Sequence, residues 1–159
     1  MNFKIVDMNY YCKYQIIRWK YNKPYDVYNF PNIILNQDVV INDKYFAVIN
    51  ENFELVGYYC IDEEARVITN ESERFYSRDF LDMGLGLRPD LTGLGLGLEF
   101  VNFGVKFLKH EYNKRIRLTV ACFNKRAIKV YKRAGFSQGE IFIRPSTNCQ
   151  YEFMIMRLI

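Results

Sequence analysis

The stretch from Leu85 to Leu98 limits what this chain can fold into more than any other part of the sequence. It reads LGLRPDLTGLGLGL, an apolar extended segment that leads through a proline and a glycine cluster into a periodic apolar segment. This order predicts a strand, a tight loop and the start of a helix. The start of a helix exposes backbone N–H groups and a partial positive charge, and glycines let an anion approach the main chain. We therefore expect the loop to bind a phosphate group.

The strand predicted before this loop has one unusual face. Residues 79–87 alternate with period two, so that the leucines and Met83 share one face. The opposite face carries Asp82, Gly84 and Gly86. Glycine within a strand indicates that another group lies close to the bare backbone, and we expect this face to be open to a bound molecule.

The rest of the chain divides into strands and helices by its hydrophobic periodicity and turn residues. Strands are predicted at 3–7, 45–49, 55–61, 115–122, 137–145 and 150–159, helices at 10–20, 32–42, 97–112 and 124–134, and an aromatic loop at 19–31. Strands come first, alternate with helices in the middle and close the chain. This order predicts an α+β fold with helices on the faces of a sheet.

Length and charge narrow the range of functions. The 159 residues suffice for a single domain, residues 1–159, with one sizeable core. Residues 1–80 hold 9 Lys and Arg against 12 Asp and Glu, whereas residues 81–159 hold 13 against 6. The half that contains the glycine loop is therefore cationic, which suits an anionic cofactor, although a basic surface also fits weak nucleic-acid binding.

Several classes of site are disfavoured. A dinucleotide-binding loop is followed about 20 positions later by an acidic residue, where this chain has basic ones. A nucleotide-triphosphate loop ends in Gly-Lys-Ser/Thr, but Gly97 is followed by Leu98. The only histidine, His110, is interpreted as a surface residue near a helix end, and no metal site is predicted.

Cysteine usage and hydropathy predict a cytoplasmic protein. The four cysteines lie far apart without a CxxC motif, so we expect free thiols rather than disulfides or a zinc site. The sequence contains no apolar run of about 18 residues, and its N-terminus lacks the features of a signal peptide. No membrane association is predicted.

A second motif lies about 30 residues after the glycine loop, in the stretch VACFNKRAIKVYKRAGF at 120–136. Together the two segments resemble the GNAT superfamily of acyl-CoA-dependent N-acyltransferases. The residues that carry the resemblance are Pro89, Gly95 and Gly97 in the first motif and Asn124, Ala127, Tyr131, Gly135 and Phe136 in the second. The resemblance implies a mixed, mostly antiparallel sheet of about six to seven strands flanked by about four helices. It also implies an N-acetyltransferase that uses acetyl-CoA.

The resemblance implies a set of cofactor-binding residues. Thr92 departs from the family, which usually has Gln or Arg there, and Leu94 occupies a position that is often basic. One charge-assisted contact with the pyrophosphate is therefore missing, although backbone N–H groups make the main contacts. We expect compensation from Arg88, Lys125, Arg126 or Arg133. The implied cofactor-binding residues are Leu85, Gly86, Leu87, Arg88, Thr92, Gly93, Leu94, Gly95, Leu96, Gly97, Asn124, Ala127 and Tyr131.

The resemblance also assigns catalytic roles. Tyr131 is expected to protonate the leaving thiolate of CoA, since a phenol is a reasonable proton donor to a thiolate. The N–H of Leu87 is expected to stabilise the oxyanion. Asp82, on the glycine-bearing face, is a candidate base or amine anchor.

The acceptor and the partners are left open by the sequence. Trp19, Tyr25 and Tyr28 are candidate substrate-binding residues, although rings in such a loop also serve simply to cover a core. The acceptor is a small amine, an aminoglycoside or a peptide amine, and a homodimer is compatible with the family. Other hypotheses are a non-catalytic acyl-CoA sensor and a nucleic-acid-binding module. We interpret the cationic helix face as solvated rather than as a nucleic-acid site; it consists of Lys125, Arg126, Lys129, Lys132 and Arg133.

Overall fold

The computed structural model describes residues 1–31, 41–145 and 150–159. Most of the helix predicted at 32–42 lies outside these ranges, as does Cys149. Within them, Cys12 and Cys60 are buried free thiols and Cys122 is a half-buried one, as expected. The same ranges contain no group of metal-binding side chains and no helix long and apolar enough to cross a membrane.

Seven strands form one sheet in the order β1-β2-β3-β4-β5-β7-β6. The pairings β1–β2, β2–β3, β5–β7 and β6–β7 are antiparallel, and β4–β5 is parallel. The α+β prediction with a mostly antiparallel sheet is confirmed. The strands are β1 (Lys4–Asp7), β2 (Tyr45–Ile49), β3 (Leu55–Ile61), β4 (Phe80–Leu87), β5 (Arg115–Ala121), β6 (Ser137–Pro145) and β7 (Gln150–Leu158).

The described ranges contain four α-helices and three short 3-10 turns. Asn9 caps the first helix by accepting a hydrogen bond from the Cys12 N–H, and this helix ends earlier than the sequence predicted. The helices are α1 (Tyr10–Ile16), α2 (Ser72–Phe75), α3 (Gly97–Tyr112) and α4 (Lys125–Arg133), and the turns span Tyr25–Tyr28, Asp62–Ala65 and Pro89–Leu91.

The chain forms two compact units. The first consists of Met1–Cys60 and Leu85–Leu96, and the second of Ile61–Gly84 and Gly97–Ile159. The core of the first unit is built from α1 and strands β2 and β3, with Ile16, Val48, Val56 and Tyr59 fully buried. The prediction of a single domain over residues 1–159 stays a prediction.

The core of the second unit lies along β5 and β7. Ile116, Leu118, Ile155 and Met156 are buried there, and α3 packs on α4 and β5. The N-terminal residue of α3, Gly97, lies close to α4, because a Cβ built on it would be 3.3 Å from Cγ2 of Val130. The start of α3 is therefore fixed by helix packing within this unit.

Candidate active site

The loop after β4 is ordered by hydrogen bonds of its own. Residues Pro89–Leu91 form a 3-10 turn, and the Thr92 N–H donates to the Pro89 carbonyl at 3.2 Å. The Thr92 hydroxyl donates to the same carbonyl at 2.7 Å. Where the family usually has a long polar side chain, Thr92 therefore uses its hydroxyl proton to close the turn.

Glycine is required at two positions in this loop. Gly93 and Gly95 have φ values of 78° and 84°, in the left-handed region that residues with a Cβ rarely adopt. A Cβ built on Gly95 would have no atom within 4 Å, and Leu94 between the two glycines is 66% exposed. The main chain just before Leu96 and Gly97 is thus open to a ligand, and this arrangement fits a phosphate group.

Arg88, one of the residues expected to compensate for Thr92, is already engaged. Its Nε and Nη2 donate to the two carboxylate oxygens of Asp90 at 2.7 and 3.1 Å, and its Nη1 donates to the Leu55 carbonyl at 2.9 Å. The hydrogen-bonded Arg88 guanidinium lowers the pKa of Asp90. Arg88 therefore stiffens the base of the loop, with its charge shared with Asp90.

The peptide that joins β4 to the loop is held from both sides. The hydroxyl of Tyr21 donates to the carbonyl of Leu87 at 2.7 Å, and the N–H of Arg88 donates to the Val56 carbonyl on β3 at 2.8 Å. Burial raises the pKa of Tyr21. Tyr21 was missed in the sequence, where the only signal was the density of aromatic residues between Trp19 and Phe30.

The three candidate substrate-binding aromatics lie in the first unit. Trp19 stacks on Tyr58, with ring centroids 6.2 Å apart and an interplanar angle of 30°. Tyr25 and Tyr28 begin and end a 3-10 turn, and Tyr28 is exposed. Trp19 thus has a packing role, while the two tyrosines remain candidates for acceptor contacts.

The bare backbone of Gly86 is covered by a ring of the protein itself. A Cβ built on Gly86 would be 2.6 Å from Cζ of Tyr58, inside the ring's van der Waals envelope. The prediction that a group lies against this face is confirmed at Gly86. The expectation that the glycine leaves room there for a bound molecule was wrong, because Tyr58 fills the space.

Asn124 begins helix α4 in the second unit. It is buried, and its side-chain oxygen accepts a hydrogen bond from the Ala127 N–H at 3.1 Å, so Asn124 is the N-cap of this helix. The Asn-x-x-Ala spacing of the motif is thus the spacing of a helix cap. The amide group of Asn124 and the N–H of Ala127 are held together at the helix start.

Tyr131 lies near the other end of α4, where a Schellman motif ends the helix. The Phe136 N–H donates to the Tyr131 carbonyl at 3.0 Å and the Gly135 N–H to the Lys132 carbonyl at 3.0 Å, with Gly135 at φ 98°. This turn brings the ring of Phe136 to 6.1 Å from the ring of Tyr131. The Tyr-x-x-x-Gly-Phe pattern is therefore a helix stop that packs a buried phenylalanine on the half-buried tyrosine.

Asp82 is 1% exposed and lies between two arginines. Its oxygens accept hydrogen bonds from Arg117 Nε and Nη2 at 2.6 and 2.9 Å and from Arg66 Nε at 2.7 Å. Arg117 is fully buried and also donates to the carbonyls of Phe75 and Ser77. A buried carboxylate bound to two guanidinium groups is suited to holding chain segments together rather than to taking a proton from an amine.

The remaining charged residues lie where the sequence predicted. All five cations of the α4 face are exposed, namely Lys125, Arg126, Lys129, Lys132 and Arg133. His110 lies in the last turn of α3, its side chain is 84% exposed, and its Nδ1 is 2.9 Å from Glu111. The interpretation of His110 as a surface residue near a helix end is confirmed, and the interpretation of the α4 face as solvated rather than nucleic-acid-binding stays a prediction.

Comparisons with known proteins match a region that includes both sequence motifs. The model of the Acetyltransferase (GNAT) family matches residues 12–136. A mycothiol acetyltransferase from Streptomyces coelicolor is 29% identical over 90 residues, which make up 55% of this chain and 29% of that protein. This chain therefore spans less than a third of the length of that relative.

Many solved structures share the fold, among them two acetyltransferases. An acetyltransferase (GNAT family) from Bacillus anthracis has a TM-score of 0.73 and 15% identity, over 99% of this chain and 94% of that chain. A spermidine N-acetyltransferase from Vibrio cholerae, in complex with CoA and spermine, has a TM-score of 0.70 and 16% identity, over 98% and 95% of the two chains. The likeness extends along almost the whole of each chain.

Proposed function

Because the chain belongs to the Acetyltransferase (GNAT) family, we propose that it transfers an acetyl group from acetyl-CoA to a primary amine. The observation that carries the proposal is the loop in which Gly93 and Gly95 are left-handed and adjoin the N-terminus of α3. Backbone N–H groups at such a helix start bind the oxygens of a phosphate or pyrophosphate. The family match turns this general anion site into a specific hypothesis.

The residues of the two motifs have separate roles in this proposal. The main chain of residues 93–97 holds the pyrophosphate, and the amide of Asn124 holds the pantetheine arm. Thr92 supports the loop through its turn hydrogen bond, and the pyrophosphate then depends mainly on backbone contacts. We expect CoA to bind less tightly here than to relatives with Gln or Arg at this position.

Acetyl-CoA, when bound, supplies an activated acetyl group as a thioester. The N–H of Leu87 donates a hydrogen bond to the carbonyl oxygen of that group and stabilises negative charge on it. The neutral amine attacks the carbonyl carbon, and as the C–S bond breaks the hydroxyl of Tyr131 gives its proton to the leaving sulfur atom. The nitrogen of the new amide gives up its extra proton to water, from which Tyr131 is protonated again. Since Asp82 is committed to two arginines, we assign the removal of the ammonium proton to water.

The acceptor is proposed to be a primary amine, as the names of several structural neighbours suggest for those proteins. Spermidine is the acceptor in the name of one neighbour, and an alanine of ribosomal protein S18 in that of another, from Escherichia coli. Polyamines and peptide N-termini are therefore the first classes to test. Tyr25 and Tyr28 are the residues of the first unit that we propose for contacts with the acceptor.

Thiol release from acetyl-CoA tests the proposal. We expect release that depends on one class of amine in a panel of polyamines, aminoglycosides and peptides. Replacement of Tyr131 by Phe should lower kcat by about 100-fold with little change in KM, since the variant lacks only the proton donor. Tyr10→Phe, at a residue that is 73% exposed, is the matched control and should behave as the wild type.

The outcomes separate the hypotheses. Calorimetry that shows no binding of acetyl-CoA to the folded chain would overturn the proposed function. Binding without turnover on any amine would favour the acyl-CoA sensor. An unchanged kcat in the Tyr131→Phe variant would overturn the assignment of Tyr131 as general acid but not the proposed transferase activity.

A further inference from the structure

The peptide bond between Leu87 and Arg88 is fixed on both sides in a way that the family motifs do not require. Its N–H donates to the Val56 carbonyl on β3 at 2.8 Å, and its carbonyl accepts the Tyr21 hydroxyl at 2.7 Å. Two hydrogen bonds from opposite directions set the rotation of the peptide plane. The Leu87–Arg88 peptide plane is therefore not free to rotate. It adjoins the N–H of Leu87, which we propose binds the acetyl carbonyl.

The hydroxyl of Tyr21 lies on the side of β4 that faces away from β3. In a β-strand the N–H and the C=O of one residue point to the same side. The C=O of Leu87 points away from β3, toward Tyr21, and the N–H of Leu87 points the same way. Tyr21 thus forms a hydrogen bond with Leu87, the residue whose N–H is proposed to polarise the acetyl group. The Tyr21 hydroxyl and the proposed position of the acetyl group lie on the same side of β4.

Tyr21 is itself held in a closed loop. The side chain of Asn29 accepts from the Tyr21 N–H at 2.7 Å and donates to the Tyr21 carbonyl at 3.4 Å, while Lys20 Nζ donates to the Phe30 carbonyl at 3.3 Å. These bonds join the two ends of the aromatic loop. These hydrogen bonds fix the backbone that carries the phenol ring of Tyr21.

A second contact attaches the same loop to the same strand. Trp19 and Phe30 pack on Tyr58, with ring centroids 6.2 and 6.4 Å away, and Tyr58 fills the space that a side chain at Gly86 would need. The aromatic loop thus contacts Leu87 directly through the Tyr21 hydroxyl, and it packs on Tyr58 of β3, whose ring covers the neighbouring Gly86. A phenol is protonated at neutral pH, and burial raises the pKa of Tyr21 further, so its hydroxyl is a hydrogen-bond donor there.

We propose that Tyr21 is a positioning residue, which orients the Leu87 peptide for acetyl transfer and couples the aromatic loop to the end of β4. The proposal rests on the proposed function, in which the Leu87 N–H acts on the acetyl carbonyl. Without the hydroxyl, the Leu87 carbonyl loses the donor that opposes Val56 and the peptide plane can tilt. The pyrophosphate loop keeps its own hydrogen bonds, so the loss should affect the rate and not the binding of CoA.

The Tyr21→Phe variant tests this directly. We expect kcat to fall by about 10- to 100-fold, since small misplacements of a catalytic group have effects of this size. The KM for acetyl-CoA and the Kd for CoA measured by calorimetry should change by less than about twofold. Tyr11→Phe, at a residue that is 69% exposed, removes a hydroxyl from the same half of the chain and should retain the wild-type kcat.

Two further measurements separate positioning from a general loss of structure. Amide hydrogen exchange at Arg88 should accelerate in Tyr21→Phe, because its bond to Val56 loses the opposing constraint, while exchange in β5 should not change. Asn29→Ala leaves the phenol in place but opens the loop, and its loss in kcat should not add to that of Tyr21→Phe. Additive losses would show that Asn29 and Tyr21 act separately and would overturn the coupling.

The possible failures are distinct. A wild-type chain with no transferase activity overturns the proposed function and this inference with it. An active wild type whose kcat survives Tyr21→Phe overturns this inference alone. This inference alone is also overturned if the loss of kcat in Tyr21→Phe is matched by an equal loss of affinity for CoA.

Discussion

At the scale of single residues, the ion pair between Asp82 and Arg117 is a strong constraint on the second unit. The two groups are 1% and 0% exposed, they face each other in the β4–β5 register, and Arg117 also binds backbone carbonyls near α2. Burial makes each charge dependent on the other, because an ion without its partner in a dry environment is costly. Arg66 adds a second cation on the more exposed side.

Removal of the negative charge should therefore destabilise the protein. We expect Asp82→Asn to lower the free energy of unfolding by about 3–5 kcal/mol, measured by urea denaturation. Glu140→Gln, which breaks a more exposed pair with Arg157, should cost less than about 1 kcal/mol. An Asp82→Asn protein that keeps the wild-type stability but loses turnover would restore Asp82 as the candidate base.

The half-buried phenol of Tyr21 and the buried phenol of Tyr76 give the stability a dependence on alkaline pH. Burial raises the pKa of Tyr21 and of Tyr76, so the folded state holds these protons at pH values where the unfolded state releases them. This contribution is complete below the unfolded pKa of about 10 and is lost as the pH rises through the folded values. Unfolding free energies between pH 9 and 11 should therefore decline.

Substitution by phenylalanine isolates this contribution. A Tyr21→Phe/Tyr76→Phe protein should lose stability less steeply above pH 10 than the wild type, by up to about 1.4 kcal/mol per pH unit for each phenol. Tyr10→Phe/Tyr11→Phe, at two exposed positions, should keep the wild-type slope. Equal slopes in all three proteins would contradict the assignment.

Individual residues differ in how far the sequence could predict their roles. The cap at Asn124 was predictable because a cap and its target lie three positions apart. Tyr21 bonds to a carbonyl 66 positions away, and Asp82 meets Arg117 only through the register of two parallel strands. Periodicity places a side chain on a face but does not say what packs on that face, which is why Tyr58 on Gly86 was not foreseen.

At the scale of elements, helix α4 is defined by its two ends. The Asn124 cap fixes its first turn and the Gly135 Schellman motif its last, and Phe136 then packs on Tyr131. A nine-residue helix is too short to be stable alone, so its ends and its packing on α3 decide its position. The orientation of the Tyr131 ring is thus tied to the way in which the helix stops.

Gly135→Ala should disturb both stability and rate. The residue has φ 98°, and a new Cβ would be 3.2 Å from Cδ1 of Leu158, so we expect a loss of about 1–2 kcal/mol in the free energy of unfolding. Because Phe136 would shift from Tyr131, kcat should fall while KM for acetyl-CoA is retained. Steady-state kinetics and urea denaturation measure the two effects.

Gly95→Ala is the matched comparison for that variant. Its φ of 84° gives a similar backbone strain, but its Cβ meets no atom within 4 Å. We expect a cost of about 1 kcal/mol in stability. The functional change should be the reverse of that in Gly135→Ala, with weaker CoA binding and little further effect on the rate at saturation. The same kinetic change in both variants would argue against separate roles for the loop and for the end of α4.

At the scale of the whole molecule, the order of elements was predictable and their pairing was not. Alternation and helical periodicity located the strands at 45–49 and 55–61 and helix 97–112 at the bounds that the structure has. The strand order β5-β7-β6, in which the last strand lies between two earlier ones, depends on contacts far apart in sequence. Two short motifs and their separation indicated the family, because each motif corresponds to a structure formed by residues close together in sequence. The first is a glycine turn at the start of a helix, and the second is a capped helix that ends in a Schellman motif.

Ligand-linked stability tests this picture in the intact chain. A ligand that binds only the folded state stabilises it by about 2.7 kcal/mol at 100 times its Kd, and for a chain of this size each kcal/mol raises Tm by about 2–4 °C. We expect CoA to raise Tm in this way and pantetheine, which lacks the pyrophosphate, to raise it far less at the same concentration. The CoA effect should weaken with salt, because dissolved ions screen the attraction between the phosphates of CoA and the cationic half of the chain. A shift produced equally by pantetheine would place the binding energy away from the glycine loop, and a shift produced by polynucleotide but not by CoA would favour the nucleic-acid hypothesis.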